Sequence, residues 1–252
     1  SEDDPWLVEA RRLLTARLDD GLSRRPAVLS VSAMKELAAP PEADQALPVG
    51  GTPIALRRPR FGQRAVEPDG RDVGLALHRF LEHADLAALE TPDCVARQVT
   101  ERVERGQLSP EQARLISTDD VAWFAGTPEG RWLAGRAALA RREVPFVYGL
   151  DFGAGEERMI LRGVIDCLVQ EPDGLTLIDY KTDRARDPAD LERRLSGYRL
   201  QLQLYGMAAE RLLAAPVRRR WLVMLAERGV IDSPDEPIVP GRPFEIERSQ
   251  VQ

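Results

Sequence analysis

The alternation of apolar and polar residues predicts a chain that mixes helices with strands. From Asp72 onward, apolar side chains recur at the spacing of one helical face. That stripe consists of Val73, Leu77, Phe80, Leu81 and Ala84. Further helices are predicted at Cys94–Gly106, Pro110–Ala125, Pro128–Arg142, Asp187–Leu195 and Gly197–Ala214. Strands are predicted at Glu143–Asp151 and Val217–Leu225, with an added edge strand at Ile238–Glu247.

The stretch from Leu161 to Asp183 predicts a β-hairpin that carries charged residues inside apolar strands. Its turn is expected at Pro172–Gly174, where Pro, Asp and Gly follow one another. Asp166 lies midway along the first strand, and Asp179 lies near the end of the second, two residues before Lys181. Because side chains alternate along a strand, Asp179 and Lys181 share one face.

The turn decides whether Asp166 joins that face. If Glu171 pairs directly with Gly174, Asp166 lies opposite Asp179. If Gly174 is instead a left-handed bulge residue, the two aspartates point to opposite faces unless a second irregularity restores them. We favour the convergent register, because carboxylates and an ammonium at one strand rim suit a hard cation. The competing interpretation is a solvated hairpin end with a surface Lys-Asp pair.

Length, charge and cysteine usage restrict the class of protein. The chain has 252 residues, 43% of them hydrophobic, which is enough for one good core or two small ones. No apolar run is long enough to cross a bilayer and no signal-peptide pattern opens the chain, so we expect a soluble, cytoplasmic protein without membrane contact. Cys94 and Cys167 are far apart in sequence, which argues against a disulfide framework, a zinc site or an iron–sulfur cluster.

Several motifs, taken in order, resemble the PD-(D/E)xK nuclease superfamily, and within it the RecB and AddA group of double-strand break repair helicase–nucleases. The motifs are G-L-A-L-H (Gly74 to His78), R-E-V-P-F with Glu143, G-V-I-D (Gly163 to Asp166), D-Y-K-T-D (Asp179 to Asp183), and Gln201 with Tyr205. The segments Ser30 to Leu37 and Arg58 to Phe61 favour the AddA side of the group. The resemblance covers about Val28 to Leu225. It implies an α/β fold with a restriction-endonuclease-like core, in which helices flank a mixed central sheet behind a helical N-terminal extension.

The resemblance also implies the roles of individual residues. The metal ligands would be His78, Asp166, Asp179 and the carbonyl of Tyr180, binding Mg²⁺ or Mn²⁺. Lys181 would orient the attacking water, while Gln201 and Tyr205 would hold the lysine strand and a DNA phosphate. Glu143 would lie in the outer coordination shell, in contact with the metal ion or with a water molecule.

Domain organisation is expected to follow the same comparison. Residues 1–53 would be a helical segment with a helix at Pro5 to Leu18 and a linker at Pro40 to Pro53, and residues 54–252 would be the nuclease domain. The absent initiator Met suggests a fragment of a longer polypeptide with helicase domains upstream; a freestanding exonuclease is the competing interpretation. Expected partners are single-stranded DNA ends, those helicase domains and a second nuclease subunit of AddB type.

Net charge is unusual for this function. The formal net charge of −6 is opposite in sign to the basic surface that DNA-binding proteins usually have, so we expect the isolated domain to bind DNA weakly. Local arginine clusters offset this in part: Arg57, Arg58, Arg60 and Arg64; Arg184 and Arg186; Arg193 and Arg194; Arg218 to Arg220. Trp123, Phe124 and Trp132 are expected to be core anchors rather than base-stacking residues. Two other functions stay open: a nuclease fold without catalysis, and a structural domain that holds a partner subunit.

Overall fold

A six-stranded mixed sheet is the centre of the described residues, 28–30, 70–151 and 158–232, of a computed structural model. Its strands are β1 (Val28–Ser30), β2 (Ala140–Asp151), β3 (Arg158–Glu171), β4 (Gly174–Lys181), β5 (Val217–Met224) and β6 (Gly229–Asp232). The order is β1-β3-β4-β5-β6, and β2 pairs with the other edge of β3. The pairs β1·β3 and β4·β5 are parallel, whereas β2·β3, β3·β4 and β5·β6 are antiparallel.

Six α-helices accompany the described strands. They are α1 (Gly70–His83), α2 (Pro92–Glu104), α3 (Pro110–Ala113), α4 (Thr118–Gly126), α5 (Pro128–Ala134) and α6 (Pro188–Leu213). Three of the predicted bounds were wrong. The helix expected at Pro110–Ala125 divides in two because the Ser117 side chain accepts a hydrogen bond from Asp120 N–H and caps a new helix. The helix expected at Pro128–Arg142 ends at Ala134, and β2 begins at Ala140.

The third error concerns the helix after the hairpin. Two helices were expected, one ending at Leu195 and the next beginning at Gly197, yet α6 runs through Ser196 and Gly197 without a break. A glycine inside a helix costs about 1 kcal/mol relative to alanine. Leu195, Tyr198 and Leu202 on either side are buried against the sheet, and this packing outweighs the local preference.

Helices cover both faces of the sheet, as the predicted fold class requires. Helices α1, α2, α4 and α5 pack on one face, where Phe80 and Val95 are fully buried. Helix α6 packs on the other face with Leu204 and Ala208, against Leu175 and Leu177 of β4. Strand β4 is buried along almost its whole length. The prediction of a mixed sheet flanked by helices is therefore confirmed.

The aromatic residues also behave as predicted. Phe124 is buried and meets the ring of Tyr180 edge-on at 5.7 Å between centroids. Trp132 packs edge-on against Trp221 at 4.9 Å, and Arg136 lies over the Trp132 ring at 4.3 Å. These contacts join the helical layer to β4 and β5. Trp132 is therefore a packing residue, since the sheet and Arg136 occupy its surroundings.

Strands β2 and β3 change faces together at one point. On β2, Ala140 packs on the α1 side of the sheet, whereas Val144 packs on the α6 side, although positions four apart on a regular strand share one face. On β3, Cys167 lies on the α1 side and Ile165 on the α6 side, again with the same parity. The pairing on both sides of this point has one register, Arg142 with Cys167 and Val144 with Ile165. The residues between them are Glu143 and Asp166.

Some predictions concern residues outside the described ranges. They are the helix at Pro5 to Leu18, the linker at Pro40 to Pro53, the segment Arg58 to Phe61, the first arginine cluster and the strand at Ile238–Glu247. Among the residues that can be described, no helix combines the length and apolar character needed to cross a membrane.

Candidate active site

The two aspartates of the hairpin meet where β3 and β4 separate. Glu171 pairs with Gly174, so the structure adopts the convergent register. The last paired residues of the ladder are Cys167 and Ile178, so pairing stops one residue short of Asp166 and Asp179. There, Tyr180 N–H donates to Asp166 Oδ2 at 2.8 Å instead of to a strand carbonyl. Both carboxyl groups are buried, with Asp179 only 1% exposed.

His78 and Glu143 complete one side of this site. His78 Nδ1 lies 3.3 Å from Glu143 Oε1 and 3.6 Å from Asp166 Oδ1. Glu143 has a φ of 49°, a left-handed conformation that is uncommon for a glutamate. It occurs where β2 changes faces, so the strand irregularity accompanies the approach of Glu143 to His78. One ligand atom from each of His78, Glu143 and Asp166 lies within 4.8 Å of the others.

Asp179, Lys181 and α6 form the other side of the site. Lys181 Nζ lies 2.6 Å from Asp179 Oδ2, and Gln201 Nε2 donates to Asp179 Oδ1 at 2.8 Å. The same Gln201 nitrogen donates to Tyr205 Oη at 3.1 Å. Gln201 and Tyr205 are one turn apart on α6, which lets a single helical face hold the carboxylate. Both helical layers therefore contribute to one site, α1 through His78 and α6 through Gln201.

Burial and charge shift the proton affinities in this site. Burial, together with the nearby Asp179 carboxylate, raises the pKa of Asp166 to about 7. Burial alone would lower the pKa of His78, but the hydrogen bond with Glu143 and the charges of Asp166 and Glu143 raise it. Burial also opposes the charge of Lys181, yet Asp179 and Asp166 outweigh it and raise the Lys181 pKa. Lys181 is therefore an ammonium at neutral pH, and the site has a surplus of carboxylates that a cation would offset.

The structure brings together the residues singled out for the site. Glu143, for which an outer contact was expected, lies beside His78 and Asp166 and forms with them the group of potential metal ligands. Sequence reasoning missed Asp183 and Tyr198, whose side chains are hydrogen-bonded to each other beside Lys181. The signal was the aspartate that ends D-Y-K-T-D.

A cleft of about 320 Å³ lies next to the site, between α1 and the loop that precedes α4. Thr182 and Arg184, just beyond Lys181, line it together with Leu77, the neighbour of His78. Val73 and Ile116 add apolar walls.

Most of the described arginine clusters make contacts within the protein. Arg193 and Arg194 pair with Asp190 at 2.8 and 3.0 Å. Arg218 donates to the Asp173 carbonyl, and the Arg220 side chain is buried. Arg184 and Arg186 are exposed, and Arg184 borders the cleft. Of the described clusters, this pair is therefore the better placed to meet a phosphate backbone.

Gly163 gives a test of how α6 supports the site. A Cβ at this position would lie 2.8 Å from the Phe146 ring and 2.9 Å from the Tyr205 ring. Gly163→Ala should displace Tyr205, lower the free energy of unfolding by about 1–3 kcal/mol and slow any reaction that depends on Gln201 holding Asp179. Urea unfolding and a steady-state rate measure the two effects. Gly149→Ala on β2, where a Cβ meets no atom within 4 Å, is the matched control. Unchanged stability and rate in Gly163→Ala would contradict the packing.

Comparison with known proteins agrees with this geometry. A family model of the PD-(D/E)XK nuclease superfamily matches residues 54–238. The AddA subunit of the ATP-dependent helicase/nuclease of Desulforudis audaxviator is 40% identical over 177 residues, 67% of this chain and 14% of that protein. The proteins of the same name from Moorella thermoacetica and Geobacillus thermodenitrificans are 32% identical over 87% of the chain and 34% identical over 86%.

The chain spans only 16% and 19% of the length of those last two relatives. The crystal structure of SSO0001 overlaps 64% of the chain with a TM-score of 0.31 and 16% identity, which is too low to add to the assignment. The family match, in contrast, includes every element that carries the site, from α1 to α6. The protein belongs to the PD-(D/E)XK nuclease superfamily.

Proposed function

We propose that this chain is the metal-dependent nuclease domain of a helicase–nuclease and that it hydrolyses phosphodiester bonds of DNA during double-strand break repair. The observation that carries the proposal is the group of His78, Glu143 and Asp166, whose ligand atoms lie within 4.8 Å of one another next to Asp179 and Lys181. The relatives, which are named as AddA subunits of ATP-dependent helicase/nucleases, support the assignment to such an enzyme.

The donor set suits a divalent cation such as Mg²⁺, with Mn²⁺ as a substitute. Carboxylate oxygens are the ligands that hard cations prefer, and a histidine nitrogen is compatible with Mn²⁺. The buried Asp166 carboxyl supports the fit, since burial and the neighbouring Asp179 carboxylate raise its pKa and a bound cation would favour its charged form. His78, Asp166 and Glu143 would hold the ion, with Asp179 and the Tyr180 carbonyl as further ligands. When bound, a divalent cation neutralises phosphate charge and lowers the pKa of a water molecule.

The remaining side chains prepare the phosphate and the water for reaction. The Lys181 ammonium can donate hydrogen bonds both to an attacking water and to a phosphate oxygen, and its charge offsets charge that develops on the phosphate. Gln201 holds Asp179 in place, and Tyr205 supports Gln201 from one turn away. We assign Gln201 and Tyr205 this supporting role.

The amino-acid composition supports the role of Lys181 as a hydrogen-bond donor. The chain contains two lysines, Lys35 and Lys181, among 35 basic residues, so arginine fills nearly every other cationic position. A guanidinium is planar and fixed in shape, whereas an ammonium is a compact charge that can donate in several directions. The presence of lysine instead of arginine at position 181 therefore fits the need for a compact donor there.

We propose that the substrate is single-stranded DNA and that helicase domains of the same polypeptide deliver the strand to the site. The domain would then degrade it as an exonuclease. The cleft beside Lys181 has room for a nucleotide next to the scissile phosphate, and Arg184 at its border supplies a positive charge. The net charge of −6 predicts weak binding of DNA by this domain alone, so affinity would come from the motor. A second nuclease subunit of AddB type is the proposed partner.

Cleavage of end-labelled single-stranded DNA by this chain tests the proposal. With Mg²⁺ or Mn²⁺ we expect shortened products, and we expect none with EDTA or in Asp179→Ala, which removes a proposed ligand and the partner of Lys181. Asp119→Ala, an exposed aspartate on α4, is the matched control and should cut at the wild-type rate. Duplex DNA and RNA of the same sequence measure substrate preference.

A folded wild-type protein that cuts none of these substrates with any divalent ion, even when joined to its helicase domains, would contradict the proposal. Retained metal binding without cleavage would then favour a non-catalytic nuclease fold. Isothermal titration with Mn²⁺, repeated on Asp179→Ala and Asp119→Ala, measures that binding directly.

A further inference from the structure

The ammonium of Lys181 lies between two side chains of different kinds. Asp179 Oδ2 is 2.6 Å from Lys181 Nζ, and the centroid of the Tyr198 ring is 5.0 Å from the same nitrogen. A cation at this distance from an aromatic face is attracted by the electron density of the ring. Tyr198 is 2% exposed, so little water competes for that contact.

Tyr198 is itself anchored by the residues that follow β4. Its hydroxyl donates to Asp183 Oδ2, an oxygen that also lies 3.7 Å from a terminal nitrogen of Arg194. Asp183 is two residues beyond Lys181, and Arg194 is one turn before Tyr198 on α6. The hydrogen bond therefore joins the end of the lysine strand to the helix that carries the ring.

The start of α6 fixes the other end of this connection. Asp190 Oδ2 accepts hydrogen bonds from Arg186 N–H at 3.1 Å and from Arg194 Nε at 3.0 Å. Asp187 caps the helix by accepting from Asp190 N–H at 2.8 Å. The segment after Lys181 is thus tied to the first two turns of α6, which limits how far Tyr198 and Lys181 can move apart.

A lysine needs such support more than most catalytic side chains. Its four-carbon chain has many rotamers, and ordering it in one costs conformational entropy unless neighbours confine it. Asp179 confines the ammonium from one side only, and that carboxylate also accepts from Gln201. We infer that Tyr198 is a positioning residue that confines the Lys181 ammonium through its ring, and that Asp183 holds the ring in place. This inference rests on the function proposed for Lys181.

The side-chain series at position 198 separates positioning from packing. Tyr198→Phe keeps the ring and loses the hydroxyl, so kcat should fall only a few-fold. Tyr198→Leu loses the ring, so kcat should fall about tenfold or more, with KM changed by less than about twofold because the binding contacts remain. Tyr198 also packs with Leu195 and Met224, so urea unfolding must accompany each rate. Tyr148→Leu, a half-buried tyrosine on β2, controls for lost packing.

Lysine-selective NMR measures the position of Lys181 without any reaction. With two lysines in the chain, ¹³C-lysine labelling gives two sets of side-chain signals, and Lys35→Arg identifies that of Lys181. The Lys181 signal should be shifted by the Tyr198 ring, retain that shift in Tyr198→Phe, and lose it in Tyr198→Leu. The spectra would be recorded in EDTA, so the shift would report the contact even if the protein cuts no DNA.

Asp183 provides the second variant. Asp183→Ala should lower kcat by as much as Tyr198→Phe does. The double variant should show no further decrease, because both substitutions remove the same hydrogen bond between Tyr198 and Asp183. A wild-type kcat in a folded Tyr198→Leu protein, or additive effects in the double variant, would overturn the inference while the proposed function stands. Absence of cleavage by the wild-type protein would instead count against the proposed function, and an unshifted Lys181 signal would still overturn the inference on its own.

Discussion

Replacing Asp166 with asparagine is expected to reduce metal-dependent cleavage by about 10³-fold. Charge stabilisation by a bound cation contributes several kcal/mol to such reactions, and each 1.36 kcal/mol corresponds to a tenfold change in rate. Asparagine retains an oxygen that can accept the Tyr180 N–H, so the end of the hairpin should keep its geometry. The loss would therefore come from the missing charge and not from the fold.

Without metal, the same substitution should increase the stability of the folded protein. Asp166 and Asp179 are buried carboxylates next to each other, and their repulsion opposes folding when no cation is present. We expect Asp166→Asn to have a higher urea midpoint than wild type in EDTA. Excess Mg²⁺ at about 100 times its Kd should stabilise wild type by about 2.7 kcal/mol and the variant much less. A variant that loses stability in EDTA, or gains as much from Mg²⁺ as wild type, would contradict the proposed site.

Exchanging Lys181 for arginine is expected to slow cleavage by about 100-fold, the loss typical of removing one donor to a developing negative charge. The charge is kept, but the guanidinium is larger and planar, and Lys181 occupies a half-enclosed space between Asp179 and Tyr198. Single-turnover rates at saturating DNA isolate this effect from binding. Arg105→Lys, at an exposed position, controls for a general arginine–lysine exchange. A rate within about threefold of wild type would mean that Lys181 supplies only charge.

Much of the fold and part of the site followed from local patterns. Alternation along β3 and β4 placed Asp179 and Lys181 on one face and left two registers for Asp166. The chemistry of the charged side chains favoured the convergent register, which the structure adopts. The helical stripe of α1 was equally legible, with Leu77 and Phe80 buried as expected. These features depend on periods of 2 and 3.6 residues, which a sequence states directly.

Errors arose where packing overrode local preference. The break expected at Ser196, between two predicted helices, is absent from α6, because residues on both sides of it are buried against the sheet. The helix predicted at Pro128–Arg142 included Ala140 to Arg142, yet these three residues begin β2 and pair with β3. Pairing with a neighbouring strand is a long-range interaction that propensity does not report.

The sequence by itself indicated the fold class and the candidate chemical groups, through the order of its motifs and their resemblance to the PD-(D/E)xK superfamily. Only the tertiary structure decided how those groups meet. His78 and Glu143 are 65 residues apart and come within 3.3 Å because β2 and β3 change faces together at Glu143 and Asp166. Tyr198 reaches Lys181 because α6 crosses back over the end of β4. Such approaches depend on the pairing and packing of whole elements, which no local pattern encodes.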